Sequence, residues 1–284
     1  MANLQRNVPV SHGINKTIIY IVCIFLAVLS ILPFWIMFVN ATRSTPEIQS
    51  GLSLIPSTHL KTNWDVLTSK SFDPLKGFFN SLIISGFSTL CAVYFSSLTA
   101  YGLVVYNWKL RQPFFTFIMC VMMVPAQASA IGFYQFMYQM HWTNNFLPLI
   151  LPAIASPAIV FFMRQYLLGA LSLEIVEAAR IDGSGEFSTF NRIILPIMVP
   201  AIATQAIFAF VASWNNLFMP LILLTQKEKY TLPIMVSLLR GDIYKTEFGS
   251  IYLGLALTAL PLFVIYFLLS RYIIAGVALG GVKE

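Results

Sequence analysis

The chain has 284 residues, of which 58% are apolar and only 10% charged, where a water-soluble chain carries roughly a quarter charged. With a mean hydropathy of +0.78 it cannot clothe a soluble fold in polar surface, so that class is excluded. The formal charge of +6 comes from Lys and Arg scattered between apolar runs, which is the pattern of membrane-flanking loops and not of a nucleic-acid surface.

A polar head at residues 1–16, with Arg6, His12 and Lys16, precedes a charge-free run of 24 residues from Thr17 to Asn40. That run is too long for a signal-peptide apolar region, and no small-x-small cleavage pattern follows it, so it reads as an uncleaved first span. Five further runs follow, at about Phe78 to Val105, Phe114 to Tyr138, Phe146 to Leu168, Ile197 to Leu224 and Ser250 to Ile274. A span takes about 20 residues, and an all-α integral membrane protein with six transmembrane helices is the predicted class. Pro33, Pro125, Pro148, Pro152, Pro157, Pro220 and Pro261 fall inside these runs, as simple kinks or where neighbouring helices or a wet cavity satisfy the freed backbone. Ser85, Ser88, Ser96, Ala100 and Gly102 on the second run allow close helix approach and predict a packed bundle.

Orientation follows from the loops. Lys109 and Arg111 lie in the short second loop, whereas the third, His141 to Asn145, has no Lys or Arg, which places the N-terminus, loops two and four and the C-terminus in the cytoplasm. Loop five, with Lys227, Lys229, Arg240 and Lys245, opposes that bias. It runs from Gln226 to Phe248, carries charges of both signs, and is expected either to reach outward or to serve as a solvated connector.

The chemistry is as informative in what is missing. There is no G-x-x-x-x-G-K-[ST] phosphate loop and no H-E-x-x-H pair, so ATP and metal chemistry are not expected of this chain. Cys23, Cys91 and Cys120 lie within apolar runs and form no C-x-x-C pair, so neither a disulfide framework nor a zinc site is expected. From Phe146 to Met163, and through the cores of the other five runs, there is no Asp, Glu, Lys, Arg or His, which argues against an ion-coupled carrier. They do hold Asn80, Ser81, Gln127, Ser129, Gln135, Gln205, Ser213, Asn215 and Asn216. Each of these can serve an interhelical hydrogen bond or line a path for a neutral, hydroxyl-rich solute. Trp214, beside two amides, is suited either to a sugar ring or to an interfacial belt.

In the fourth loop, Glu174 to Gly183 alternates acidic and apolar positions at helical spacing. Ser172 is placed to cap this helix, Glu174 lies in its first turn, and Gly183 can adopt the left-handed stop. Ala178 and Ala179 remove bulk from one patch, and Glu177, Arg180 and Asp182 offer charges for pairing, so the segment reads as a short helix suited to close approach by another protein or to a membrane interface.

The same stretch, Glu177-Ala178-Ala179, Asp182-Gly183, Phe190, Ile193, Leu195-Pro196 and Pro200, resembles the EAA loop of ABC importer permeases. Supporting matches are Asn80-Ser81, Ala100-Tyr101, Met123-Val124-Pro125, Ser213-Trp214-Asn215, Pro220-Leu221 and the ending Gly280-Gly281-Val282-Lys283. Together they are similar to the shorter, MalG-type permease of carbohydrate importers from about Asn80 onward. Ser184 stands where alanine is commoner in the family, and the chain ends in Glu284 where glycine is frequent.

The resemblance implies a type I importer permease: head 1–16, first helix and extracellular loop 17–76, permease core 77–275 with the EAA loop at 170–196, and cytoplasmic tail 276–284. It implies no catalysis by this chain, with ATP and Mg held on a partner. The partners implied are a second, homologous permease in a heterodimer, two copies of a cytoplasmic ABC ATPase, an extracellular sugar-binding protein and the lipid bilayer, with no nucleic acid. Glu177, Ala178, Ala179, Arg180, Asp182 and Gly183 would couple to the ATPase, while Asn80, Gln127, Trp214, Asn215 and Asn216 would border the solute path. An ATP-independent sugar carrier or channel is the alternative.

Overall fold

The computed structural model describes residues 12–69, 72–239 and 247–281, with side chains described for 16–68, 72–125, 127–239 and 247–267. Arg6, Lys70, Arg240, Asp242, Lys245, Val282 and Lys283 lie outside the described residues. All described elements are helical, and no strand occurs among the described residues. These residues form two compact units, one drawn from 1–71 and 243–256, the other from 72–242 and 257–284.

In the first unit, α1 (His12–Asn40) is followed by α2 (Thr45–Gln49) and α3 (Leu60–Ser69). Arg43 is buried at the turn after α1. Its guanidinium donates to Asn40 Oδ1 at 3.2 Å, to the Gly51 carbonyl at 3.1 Å and to the Glu47 carbonyl, so the burial of this charge is matched by acceptors. Asn63 donates to the Ala41 and Arg43 carbonyls. Ser44 and Glu47 make a capping box on α2.

The second unit is built around α4 (Pro74–Val105), whose N-cap Asp73 accepts from the Lys76 amide at 3.0 Å. It is followed by α5 (Arg111–Val121), α6 (Ala126–Gln139), α7 (Leu147–Ile150), a 3-10 turn at Leu151–Ile154, and α8 (Pro157–Ala170). Next come α9 (Leu173–Ile181), α10 (Glu186–Thr189), a π-helical turn at Phe190–Ile194, α11 (Leu195–Ile197), α12 (Val199–Trp214), α13 (Phe218–Leu223), a 3-10 turn at Lys227–Lys229 and α14 (Leu232–Leu239). The last helix, α15 (Phe248–Gly281), belongs to the first unit as far as Ala256 and to the second from Leu257 onward. Helix α4 packs against α7, α8, α12 and α14. Its Ser85, Ser88, Ser96 and Ala100 are buried, as a bundle requires, whereas a Cβ at Gly102 would meet open space.

Among the described residues, four helices are long and apolar enough to cross a membrane, Lys16–Asn40, Pro74–Val105, Leu147–Ala170 and Phe248–Phe267, and Glu186–Ile197 with Val199–Trp214 makes a fifth candidate bent by 80°. The bend has a sequence cause. Pro196 and Pro200 both lack an amide proton, and between them the Met198 amide reaches back to Ile194 and Leu195 while the Leu195 amide bonds Phe190 in the wider π pattern. The third predicted run is divided at Met122–Pro125 into α5 and α6, and the fifth is divided between α12 and α13. Pro33 and Pro261 sit within unbroken helices.

The expectation for loop five needs correction over its described part. Residues 225–239 fold back and do not project: Leu232, Ile234, Met235 and Val236 are buried, and Ile234 joins Ile84 and Leu224 in one apolar cluster. Asn144, in the left-handed region at φ 55°, accepts from the Thr225 and Gln226 amides at 2.6 and 2.9 Å, and Lys229 Nζ donates to its carbonyl.

Candidate functional site

The fourth-loop helix α9 forms where the spacing places it. Ser172 occupies the N-cap position with extended backbone, but its side chain makes no capping bond, and the Ile175 amide bonds the Ser172 carbonyl instead. At the other end Gly183 has φ +77°, and the Ser184 amide bonds Ala179 O while the Gly183 amide bonds Arg180 O. This paired closure is the Schellman stop that glycine permits.

The helix has two distinct faces. Val176 and Ala179 are buried, at 1% and 5% exposure, with Val176 in a core containing Tyr101, Met163, Leu167, Phe190 and Ile194. Ala179 therefore packs on this chain's own interior and is not part of an outward patch with Ala178. The outward face carries Glu174, Glu177, Ala178, Asp182 and Ile181, which is 86% exposed. Among the described residues Glu177 takes part in no ion pair.

Arg180 is committed within the chain. Its Nε donates to Glu186 Oε1 at 2.7 Å, and its guanidinium lies 5.6 Å from the Tyr106 ring centre. Glu186 Oε2 accepts from Tyr101 Oη at 3.0 Å and Tyr106 Oη at 2.5 Å. The Arg180 hydrogen bond, followed by that from Tyr106, holds the Glu186 carboxyl down to about 2. Sequence reasoning missed Glu186 because two of its three partners, Tyr101 and Tyr106, are 85 and 80 residues away. Ser184 has a role as well, its hydroxyl accepting from buried Thr189 at 2.9 Å.

The proposed path residues are not brought together. Asn80 is buried, and its amide donates to the Glu228 and Tyr230 carbonyls at 2.9 and 3.0 Å. Trp214 is 1% exposed, its indole donates to Thr258 O at 3.0 Å, and its ring meets Phe78 and Phe210. Both are spent on packing, so neither side chain presents a surface to a solute. Gln127 is exposed at the start of α6, and Asn215 is the exposed C-cap of α12.

Asn216 borders an open groove of about 560 Å³ between α4, α8 and α12, with Gln205, Ser213, Ser88 and Ala92 also on its wall. Gln205, Ala209, Ala212 and Asn216 recur at helical spacing along one stripe. The non-helical backbone at Ala155–Ser156 also lines this groove, which is where a membrane protein tolerates irregular chain.

Residues 92–278 match the family described as binding-protein-dependent transport system inner membrane component. The chain is 35% identical over 261 residues to the arabinooligosaccharides transport system permease protein AraQ of Bacillus subtilis, covering 91% of this chain and 92% of that one. It is 32% identical to the lactose transport system permease protein LacG of Rhizobium radiobacter over the whole of both chains. Its fold is similar to a chain in the crystal structure of a bacterial ABC transporter involved in the import of the acidic polysaccharide alginate, with a TM-score of 0.78, 19% identity, and coverage of 94% of this chain and 100% of that one. An all-helical membrane fold with an EAA-type loop and a family match over most of its length make the chain a member of the binding-protein-dependent transport system inner membrane components, the non-catalytic permease subunit of an ABC importer.

Proposed function

We propose that this permease translocates a sugar or oligosaccharide delivered by an extracellular sugar-binding protein. It pairs with a second, homologous permease, and two copies of a cytoplasmic ATPase hold the ATP and Mg. The membrane is the bacterial or archaeal inner membrane, with both termini cytoplasmic. The sugar assignment is supported by the names of the relatives and by the uncharged polar wall formed by Gln205, Ser213 and Asn216, since neutral amides and hydroxyls match hydroxyl-rich solutes without the cost of a buried charge.

The observation that carries the coupling assignment is the two-faced α9. Val176 and Ala179 fix it to the permease core, and Glu177, Ala178 and Ile181 are left exposed. Closure of the ATPase pair would displace this helix, and the packed bundle would follow as a rigid body to change which side of the membrane the groove faces.

The test is Glu177→Ala in proteoliposomes holding the complete transporter. Loss of a charge-assisted contact in a buried interface costs about 2 to 5 kcal/mol, so ATPase co-purification and ATP-dependent sugar uptake should both collapse. Unchanged co-purification would refute the docking assignment, and uptake that persists without any ATPase would identify an ATP-independent carrier.

A further inference from the structure

The Glu186 carboxylate joins three separate pieces of the chain. Arg180 reaches it from the last turn of α9, Tyr101 from the final turns of α4, and Tyr106 from the α4 C-cap, while Glu186 itself opens α10. The junction is ordered by aromatic contacts: Tyr101 is 3% exposed, with its ring centre 5.5 Å from Phe190 and 5.8 Å from Tyr106. A second tie lies about two turns back along α4, where Tyr94 Oη donates to Asn191 Oδ1 at 3.1 Å.

Apolar contacts such as those of Val176 hold α9 on the core but are non-directional. Charge-assisted hydrogen bonds are directional and fix orientation. Helix α4 is also the helix whose Ser88 and Ala92 form one wall of the groove, and the 13 residues from Ser88 to Tyr101 correspond to about 20 Å of helix. A push on α9 can therefore arrive at the groove wall as movement of one stiff rod, provided that the junction at Glu186 does not yield.

We propose that Glu186 is a positioning residue for transport, locking α9 to the end of α4 so that displacement of α9 moves the groove wall and is not absorbed in the intervening loop. The inference rests on the reading of α9 as the ATPase-docking helix, and it assigns to Glu186, Tyr101 and Tyr106 a role distinct from docking.

The experiment uses the assembled transporter in proteoliposomes, with Cys23, Cys91 and Cys120 replaced by serine and spin labels at Leu173→Cys, exposed at the start of α9, and at Gly102→Cys on α4, where a Cβ meets open space. In the parent protein the distance between labels should be the same without nucleotide and with ATP bound. In the Tyr101→Phe/Tyr106→Phe variant it should broaden or shift on ATP binding, and sugar imported per ATP hydrolysed should fall roughly fivefold or more, the scale of a coupling free energy between two sites, while ATPase co-purification persists. Glu186→Gln, which keeps an acceptor for the tyrosines but loses the ion pair, should fall between the two and supplies the same readouts if the double variant does not accumulate. A nucleotide-dependent distance in the parent protein overturns the proposal, as does wild-type transport per ATP in the variants. Failure of the docking reading would show separately, as intact ATPase co-purification in Glu177→Ala.

Discussion

Gly249, near the start of α15, lies so close to the Arg43 carbonyl that a Cβ built on it would stand 2.3 Å from that oxygen and 2.5 Å from Asn63 Nδ2. Both neighbours are immobilised, since the carbonyl is backbone and the Asn63 amide is itself bonded to Ala41 and Arg43. Gly249→Ala should therefore destabilise this unit by about 1 to 3 kcal/mol, the usual cost of forcing atoms into a filled site. Gly86, inside α4, has nothing within 4 Å of its Cβ position, and Gly86→Ala should be neutral or slightly stabilising because alanine restricts the unfolded chain. Thermal unfolding of the purified permease in detergent checks both, and a Gly249→Ala protein as stable as its parent would remove the close-contact argument.

Asn80 yields a second prediction, which separates packing from transport. Its two hydrogen bonds to the Glu228 and Tyr230 carbonyls, together with Ser81 Oγ accepting from the Leu232 amide at 3.0 Å, pin residues 228–232 to α4. Asn80→Ala leaves two carbonyls without this donor, at about 1 to 3 kcal/mol. The expected result is a lower melting temperature and faster proteolysis between Gln226 and Leu232, with the order of preference among sugars unchanged. A changed sugar preference at unaltered stability would return Asn80 to the solute path.

These two sites show where the sequence was legible. The helices, the two-faced α9 and its glycine stop follow from local spacing, because periodicity and capping act within one or two turns. Long-range pairings carry no such signature. Nothing in the neighbourhood of Asn80 names Glu228, and Trp214 beside Asn215 and Asn216 looks like an exposed polar-aromatic cluster until α15 supplies the Thr258 carbonyl that accepts its indole. Loop five is hard to read for a related reason: its charges, Lys227, Glu228 and Lys229, point to an outward-reaching loop or a solvated connector, while the apolar Leu232–Val236 stretch turns it back onto α4. The break at Pro125 was visible as a proline, but whether it kinks or divides a run depends on packing, since Pro33 leaves α1 unbroken.

The third prediction concerns Gly183. Its φ of +77° is combined with open space around the Cβ position, so substitution there is opposed by backbone strain and not by collision. Asparagine tolerates the left-handed region, whereas a β-branched residue does so at about 1 to 2 kcal/mol or more. Gly183→Val should weaken ATPase co-purification by loosening the Schellman closure that orients Asp182 and the end of α9, and Gly183→Asn should restore most of it. Equal behaviour of the two variants, measured as the ratio of ATPase to permease recovered from the membrane, would show that the stop is not required for docking.

The last prediction concerns the groove. Gln205, Ser213 and Asn216 line it with Ser88, but their internal commitments differ. Ser88 Oγ already donates to the Leu149 carbonyl at 3.2 Å, whereas among the described residues Asn216 Oδ1 accepts only a long 3.4 Å contact from the Met219 amide. Gln205 and Asn216 therefore have the amide groups most available to a solute, one on α12 and the other just beyond its C-cap, both on the wall of the same groove. Gln205→Leu and Asn216→Ala should each weaken sugar-dependent transport while leaving assembly, melting temperature and basal ATP hydrolysis near those of the parent, because a polar site matched to hydroxyls is impaired when one partner is lost. Trp214→Ala should do the reverse. It empties a site filled by a side chain 1% exposed, costs about 3 to 5 kcal/mol, and lowers the amount of folded permease before any change in sugar preference can be read. Transport rate against sugar concentration, measured alongside melting temperature for all three variants, distinguishes them. If Gln205→Leu and Asn216→Ala lost stability and kept transport, the groove would be a packing seam and the solute path would have to lie on another face of the bundle.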